Sequence, residues 1–305
     1  VSADSAAVFS QANYQWTDQF SLEAGLRVNH TRYQYQNNTT AGSEGRFLRI
    51  ADKDDTFTTL NPAITAYFQA NDQLQLSLSA KRASRAPQTS DLYRLQTNQT
   101  SNEAQAEKLD ALEFNTKYQA NDSFALNVAI FNMKKKNYFF RDADGFNIND
   151  GKTDHRGIEL ELTAALTQRL QLTSAFSYAE HRYRFDRIVS RDSEIIRDGN
   201  FMDSAPRVFA TTQLAWQATE TSTWNLQWQT LSDYYTDAAN EHQYDGHDLL
   251  HLRINYDLPG NHNVQLSIRN LTDALYAERA DFAFGNERYF PGEPRTIGLS
   301  YSHTW

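Results

Sequence analysis

Apolar and polar residues alternate with a period of two along most of the chain, the mark of strands whose two faces meet different surroundings. In one early segment Phe20, Leu22, Ala24, Leu26 and Val28 share a face, against Ser21, Glu23, Gly25 and Arg27. Leu74, Leu76, Leu78 and Ala80 oppose Gln75, Ser77, Ser79 and Lys81, and Ile158, Leu160, Leu162 and Ala164 oppose Glu159 and Glu161. The same beat runs through Phe124–Ile130, Trp224–Trp228, Leu250–Tyr256 and Val264–Ile268. It predicts 13 strands, near 4–16, 19–35, 57–70, 73–85, 108–120, 123–140, 155–165, 169–184, 207–217, 222–235, 247–257, 262–277 and 295–305. No segment carries a convincing helical period.

A soluble sandwich also alternates, because each of its strands buries one face. The connections separate the two cases. Thr17-Asp18, Asn71-Asp72, Asn121-Asp122, residues 166–168, residues 218–221 and Leu258-Pro259-Gly260-Asn261 form tight turns of suitable chemistry. Every other connection is long: 36–56, 86–107, 141–154, 185–206, 236–246 and 278–294. Short and long therefore alternate, placing all tight turns at one end of the sheet and all long loops at the other. That is the layout of an outer-membrane barrel with short periplasmic turns and long extracellular loops. Glu23, Arg27, Lys81, Glu113, Lys117, Glu159, Glu161, Arg253 and Arg269 fall on the polar faces, where a wet lumen tolerates charge. Tyr14, Trp16, Tyr118, Trp216, Tyr256 and Trp305 lie near the turn ends, and Tyr33, Tyr35, Tyr138, Tyr178, Tyr183 and Tyr276 near the loop ends. Two aromatic girdles are expected of a barrel anchored at both interfaces.

Composition fits this architecture. The mean hydropathy is −0.70, yet aromatics make up 13% of the chain, which argues against disorder. The net charge of −9 argues against nucleic acid as a partner. The absence of cysteine removes disulfide, thiolate-zinc and thiol-nucleophile chemistry. No run of about 18 apolar residues exists to form a membrane-spanning helix. Single-chain bacterial barrels have even strand numbers, so 13 strands require either one more strand or the latter part of a larger barrel. Residues 1–16 read as a strand with no signal peptide ahead of them, which favours the second option and predicts a longer natural coding sequence.

Several segments resemble the C-terminal barrel region of TonB-dependent outer-membrane receptors. Arg82-Ala83-Ser84-Arg85-Ala86-Pro87 followed by Asp91-Leu92-Tyr93 is similar to one such element, and His155-Arg156-Gly157-Ile158-Glu159-Leu160-Glu161 to another. Glu107 with Leu112-Glu113-Phe114 is a looser match, lacking the usual Pro and Gly. Ala205-Pro206-Arg207, Asn270-Leu271-Thr272-Asp273 with Tyr276, and Tyr289-Phe290-Pro291-Gly292-Glu293-Pro294-Arg295 follow in the family's order. The resemblance implies a 22-stranded, all-β antiparallel transmembrane barrel of which residues 1–305 supply the last 13 strands. It also implies an N-terminal plug outside this chain, an inner-membrane TonB-type partner, and import of a ferric siderophore or another iron complex. Leu299, Tyr301 and Trp305 match the terminal signal read by the family's barrel-assembly machinery. A passive porin or hydrophobic-substrate channel of about 14 strands is the rival reading. An outer-membrane phospholipase needs a Ser–His pairing that the sequence does not offer.

Candidate ligand contacts are the loop and lumen residues Arg85, Tyr93, Arg94, Arg279 and Tyr289, with the polar aromatic group Tyr234, Tyr235 and Tyr244. Arg182, Tyr183 and Arg184 begin a basic stretch, suited either to an anionic ferric chelate or to simple solvation. Lys134-Lys135-Lys136 is expected at the outer rim, meeting lipopolysaccharide phosphates. Asp52, Asp54 and Asp55 lack the order of a calcium loop. The eight histidines show no paired spacing along one strand, so neither a metal nor a cofactor is expected.

Overall fold

In the computed structural model, residues 1–45, 47–99 and 104–304 are described. Among them, thirteen strands form one antiparallel sheet in strict sequence order. These are β1 (Ser2–Gln15), β2 (Phe20–Tyr35), β3 (Lys53–Asn71), β4 (Leu74–Arg85), β5 (Glu107–Asn121), β6 (Phe124–Arg141) and β7 (Asn147–Thr167). They continue as β8 (Leu170–Tyr183), β9 (Val208–Gln217), β10 (Ser222–Leu231), β11 (His247–Leu258), β12 (His262–Arg269) and β13 (Thr296–His303). Each pairs only with its chain neighbours, and the sheet does not close: β1 and β13 have one partner each.

Register converts the alternation into two surfaces. Leu78 faces Phe114, Phe114 faces Ile130, Ile130 faces Ile158 and Ile158 faces Tyr178, so the apolar residues of successive strands fall into line. The apolar surface stays open to the outside, with Leu78 51%, Ile130 49% and Leu299 76% exposed. Such an exposed apolar face suits lipid; the opposite face, carrying Lys81, Glu113, Glu159 and Glu161, lines the lumen. A one-residue slip in any pair would exchange the two sets, so the burial demand fixes the register.

The tight turns are held by their own side chains. The Asn71 Oδ1 accepts from the backbone N–H groups of Gln73 (2.9 Å) and Leu74 (3.0 Å), and the Asn121 Oδ1 from Ser123 (2.7 Å). Thr17 and Thr167 hydroxyls do the same for Phe20 and Arg169. At this end the aromatics pair across strands, Tyr118 with Phe124 and Trp216 with Trp224, forming the expected inner girdle.

The loop end differs from the sequence reading. The 141–154 connection is no long loop: β6 and β7 run on as a hairpin, Arg141 pairing Asn147, with a tip of residues 142–146. The strands read as 222–235 and 262–277 stop at Leu231 and Arg269. The remaining loops contain small hairpins, Tyr234–Tyr235 with Gln243–Tyr244 and Ala277–Ala283 with Asn286–Pro291, and a short helix, α1 (Thr89–Tyr93). The outer aromatics are also less girdle-like than expected. Tyr33 and Tyr35 share the lumen parity of β2, and Tyr183 is buried. Tyr178 alone of that group faces outward in line with Ile158.

Gly157 marks a close approach within the wall. A Cβ there would overlap the Tyr178 carbonyl oxygen and lie 2.7 Å from the ring of Phe131. Gly157→Ala is therefore expected to cost about 1–3 kcal/mol through overpacking, read as a lower urea midpoint of the detergent-solubilised protein.

Candidate functional site

The loop end is a packed cap. In one cluster Tyr183, Ile196 and Ala238 are buried, with Phe140, Phe185 and Met202 against them. The loop after β8 crosses to the β6–β7 tip, where the Arg187 guanidinium pairs the Asp142 carboxylate, whose side chain is 2% exposed. Asn200 Nδ2 donates to the carbonyls of Ala238 (3.0 Å) and Ala239 (3.2 Å), and Asn240 Oδ1 accepts from the Phe201 N–H at 2.8 Å. A second cluster joins Tyr234 and Tyr244 to Ala277 and Ala280, seating the Ala277–Ala283 hairpin on the neighbouring loop.

Within this cap the tyrosines act as fasteners. The Tyr183 hydroxyl donates to Asp203 at 2.8 Å, and burial, then the Asp203 charge, push its phenol well above the ordinary value. Tyr93 donates to Asp55 at 2.9 Å and stacks on Tyr35, and burial raises its phenol as well. Tyr234 accepts from the Ala280 N–H at 2.8 Å, and Tyr244 from the Ala277 N–H at 3.0 Å. Tyr235 is half-buried and stacks on Phe201.

The arginines divide by direction. Arg85 sits on the lumen parity of β4, donating to Glu107 at 3.2 Å while its side chain stays 53% exposed. Arg94 caps α1 and lies over the Phe47 ring, exposed to solvent. Arg279 pairs Asp281 at 2.5 Å and remains 63% exposed. Tyr289 is also exposed, its hydroxyl donating to Glu287 at 2.6 Å, an interaction that raises its phenol. Arg182, on β8, and Arg184, just past its end, have outward parity instead. Arg182 covers Phe201 at 3.7 Å, and Arg184 donates to Asp154 at 2.8 Å. The structure thus brings Tyr183, Tyr234, Tyr235 and Tyr244 into one cap and turns Arg182 and Arg184 to its outer side.

An outward charged belt was not legible as a unit in the sequence. Just above the apolar band Arg82, Asp110, Lys134, Asp154 and Arg182 face one another in register across five strands, alternating in sign. One step further out Lys108 faces Lys136, and Lys136 faces Lys152. Arg184 stands beside Lys152, its backbone N–H donating to the Lys152 carbonyl at 2.8 Å. The middle lysine of the 134–136 run turns inward, pairing Glu107 at 3.0 Å, so only Lys134 and Lys136 reach the rim.

The acidic groups are individually engaged. Asp52 accepts from the Asn37 N–H, Asp54 pairs Arg32 at 2.7 Å and Asp55 pairs Lys53 at 3.0 Å. Asp237, Glu241 and His242 lie within metal-ligand reach of one another. The Asp237 carboxylate is already satisfied by two backbone N–H groups and by His242 Nδ1 at 2.8 Å, which makes it a loop staple.

Two sequence elements meet beside β12. Asn270, 1% exposed, donates to the Ala274 and Glu293 carbonyls and accepts from the Ala274 N–H. Asp273 accepts from the Arg295 N–H at 2.9 Å, and the Tyr276 ring fills the space a Cβ on Gly292 would need. Leu299 and Tyr301 stand on the outward face of β13, and Trp305 lies outside the described residues.

An open antiparallel wall with a lipid face, a polar lumen face, turns at one end and a packed cap at the other defines an outer-membrane barrel. The chain belongs to the TonB-dependent receptor β-barrel family: the model of the TonB dependent receptor-like β-barrel matches residues 1–271. It is 23% identical to the metal-pseudopaline receptor CntO of Pseudomonas aeruginosa, over 97% of this chain and 40% of that protein. The catecholate siderophore receptor Fiu of Escherichia coli K12 is 22% identical, over 97% of this chain and 41% of that protein. The closed-form crystal structure of Fiu shares the fold with a TM-score of 0.77, at 19% identity, covering 98% of this chain and 44% of Fiu. The chain thus spans about two fifths of the length of these curated relatives. The family consists of outer-membrane transport receptors, not enzymes.

Glu194 ties the cap to pH. It sits in the short turn Asp192–Glu194, where burial, then the charges of Asp203 and Asp237, push its carboxyl above the ordinary value. A raised folded-state value favours the protonated form, so the contribution of Glu194 to loop packing is full below the ordinary glutamate range, about pH 4.3, and is lost as pH rises through the raised value. Amide exchange in residues 184–207, corrected for intrinsic rate, is expected to show that Glu194→Gln raises protection at about pH 7 and leaves it unchanged at about pH 4.

Proposed function

We propose that this chain is the last thirteen strands of a larger, 22-stranded receptor barrel that actively imports a ferric siderophore or a related metal chelate. The match of residues 1–271 to the receptor barrel carries the reading. Relatives named for metal-pseudopaline and catecholate siderophores support the ligand class. The unpaired edges of β1 and β13 support a larger barrel, because backbone groups left open in lipid are costly. A plug and an energy-coupling segment for a TonB-type partner belong to the remainder of such a receptor.

In this reading the chelate is captured at the cap and handed down the polar lumen wall, with no covalent chemistry. Arg85, Arg94, Arg279 and Tyr289 are the exposed donors able to meet an anionic chelate, since charge-assisted bonds from arginine hold carboxylates firmly. Tyr93, Tyr183, Tyr234 and Tyr244 hold the loops that present them. Leu299, Tyr301 and Trp305 serve the assembly machinery. A strain deleted for the full-length gene is expected to lose growth on one member of a panel of chelated iron sources, restored by the gene. Large ligand-independent single-channel currents from the full-length protein would instead identify a passive pore.

The outer rim meets lipopolysaccharide. Lys108, Lys136 and Lys152 have no ion pair with a described carboxylate, and like charges placed directly opposite repel, which a polyphosphorylated headgroup relieves. Each cation near an anionic membrane surface contributes about 1 kcal/mol. Replacing all three with Gln is expected to reduce the lipopolysaccharide that copurifies with the receptor; an unchanged amount sinks this assignment.

A further inference from the structure

We propose that His155 and His181 form a transition-metal site on the lumen wall. They are direct cross-strand partners on β7 and β8, and their Nδ1 atoms lie 2.8 Å apart. The two strands are held in continuous register from Thr153↔Tyr183 to Ala165↔Gln171, so the rings stand on a rigid wall. Nitrogen–metal bonds of about 2.0–2.1 Å put two ligands meeting at a right angle about 2.9 Å apart. The existing separation already suits that arrangement, so a metal needs ring rotation and no backbone shift.

Binding through both Nδ1 atoms requires each imidazole to carry its proton on Nε2. For His155 that tautomer has a partner: Nε2 lies 2.8 Å from the hydroxyl of Thr153, a residue 1% exposed. An Nε2–H donated there orients the ring, the role that outer partners of metal-bound histidines fill. No proton is lost in the exchange, because the tautomer only moves it from one ring nitrogen to the other. Met133 is the cross-strand partner of His155 on its other side, placing a thioether in the same lumen row.

Two imidazoles with a neighbouring thioether suit the later first-row metals and are poor ligands for calcium or magnesium. Within the divalent series Cu²⁺ binds such donors most tightly, and tetragonal nitrogen sites favour Cu²⁺ or Ni²⁺. With two protein nitrogens the ion keeps positions open towards the lumen, for water or for a chelator's own donors. The nearby Lys135 is neutralised by Glu107, which limits its repulsion of a bound cation. The site does not depend on the import reading, because it is tested by binding alone.

The test uses the full-length receptor in detergent, titrated with Cu²⁺ chloride by calorimetry and followed by electron paramagnetic resonance. Folding of each variant is checked by heat-dependent mobility on gels. Nitrogen hyperfine structure from two imidazoles is expected in the unaltered receptor. His155→Ala and His181→Ala are each expected to weaken one Cu²⁺ site by about 10-fold or more, at least the loss typical of an outer-shell partner. Asp237→Asn, at the staple in the cap, is expected to leave that site unchanged. A bound-copper spectrum without nitrogen coupling overturns the proposal even if the alanine variants fail to fold. Histidine variants that bind as the unaltered receptor does, or an affinity that falls only with Asp237→Asn, overturn it equally.

Discussion

Every backbone group in the hydrocarbon must find its partner on a neighbouring strand, and this one demand organises the molecule. It forces an unbroken antiparallel ladder, and the ladder makes residue parity a spatial coordinate. Between the tight turns and the register shift near Gly151, even-numbered residues of β6, β7 and β8 face outward and odd-numbered ones face the lumen, because Ile130, Ile158 and Tyr178 must align. A charge on the wrong parity near the bilayer midplane would cost about 2–4 kcal/mol. On β4 to β8 the outward charges accordingly begin with the Arg156–Glu180 pair, one row inside Arg82 and Asp110, towards the loop end of the apolar band.

That constraint explains what was legible in the sequence. Alternation exposes the two environments directly, so strand order, turn positions and thirteen-fold count could be read from Leu74–Ala80 and its equivalents. Beyond the band the demand relaxes and legibility falls with it. Nothing in residues 141–154 alternates cleanly, yet Arg141 and residues 147–154 continue β6 and β7 around the tip, because the ladder needs backbone geometry rather than side-chain pattern. The loop tyrosines are ambiguous for a related reason. An aromatic with a hydroxyl serves equally as an interface anchor, a ligand donor or a buried fastener. Only the partners of Tyr183 and Tyr234, Asp203 and the backbone of Ala280, show that these two fasten loops.

The elements at Asn270–Tyr276 and Tyr289–Arg295 illustrate how polar residues become structural. Asn270 has φ of 48° and Asp273 has φ of 53°, a conformation that Asn and Asp tolerate better than most side chains. Asn270 then satisfies three backbone groups, two local and one on the returning segment, while Tyr276 occupies the hollow left by Gly292. Neither element makes sense alone. Asn270 bonds the Glu293 carbonyl and Gly292 admits the Tyr276 ring, so the two ends of the intervening chain are held together.

Parity also explains why the two charge and ligand assemblies escape a linear reading. Neighbours on a barrel wall lie in rows that run across strands, so a functional group drawn from such a row is scattered in the sequence. Lys108, Lys136 and Lys152 form one row, and Met133, His155 and His181 another, although no two members of either row share a strand. Spacing rules that find metal pairs within one helix or strand look along the chain and pass over these. What the rows share is an energetic tension within the wall: adjacent like charges in one, two imidazole lone pairs contending for a single proton in the other. A bound polyanion relieves the first and a bound cation the second, and the parity that keeps lipid outside and water inside assigns each to its own face.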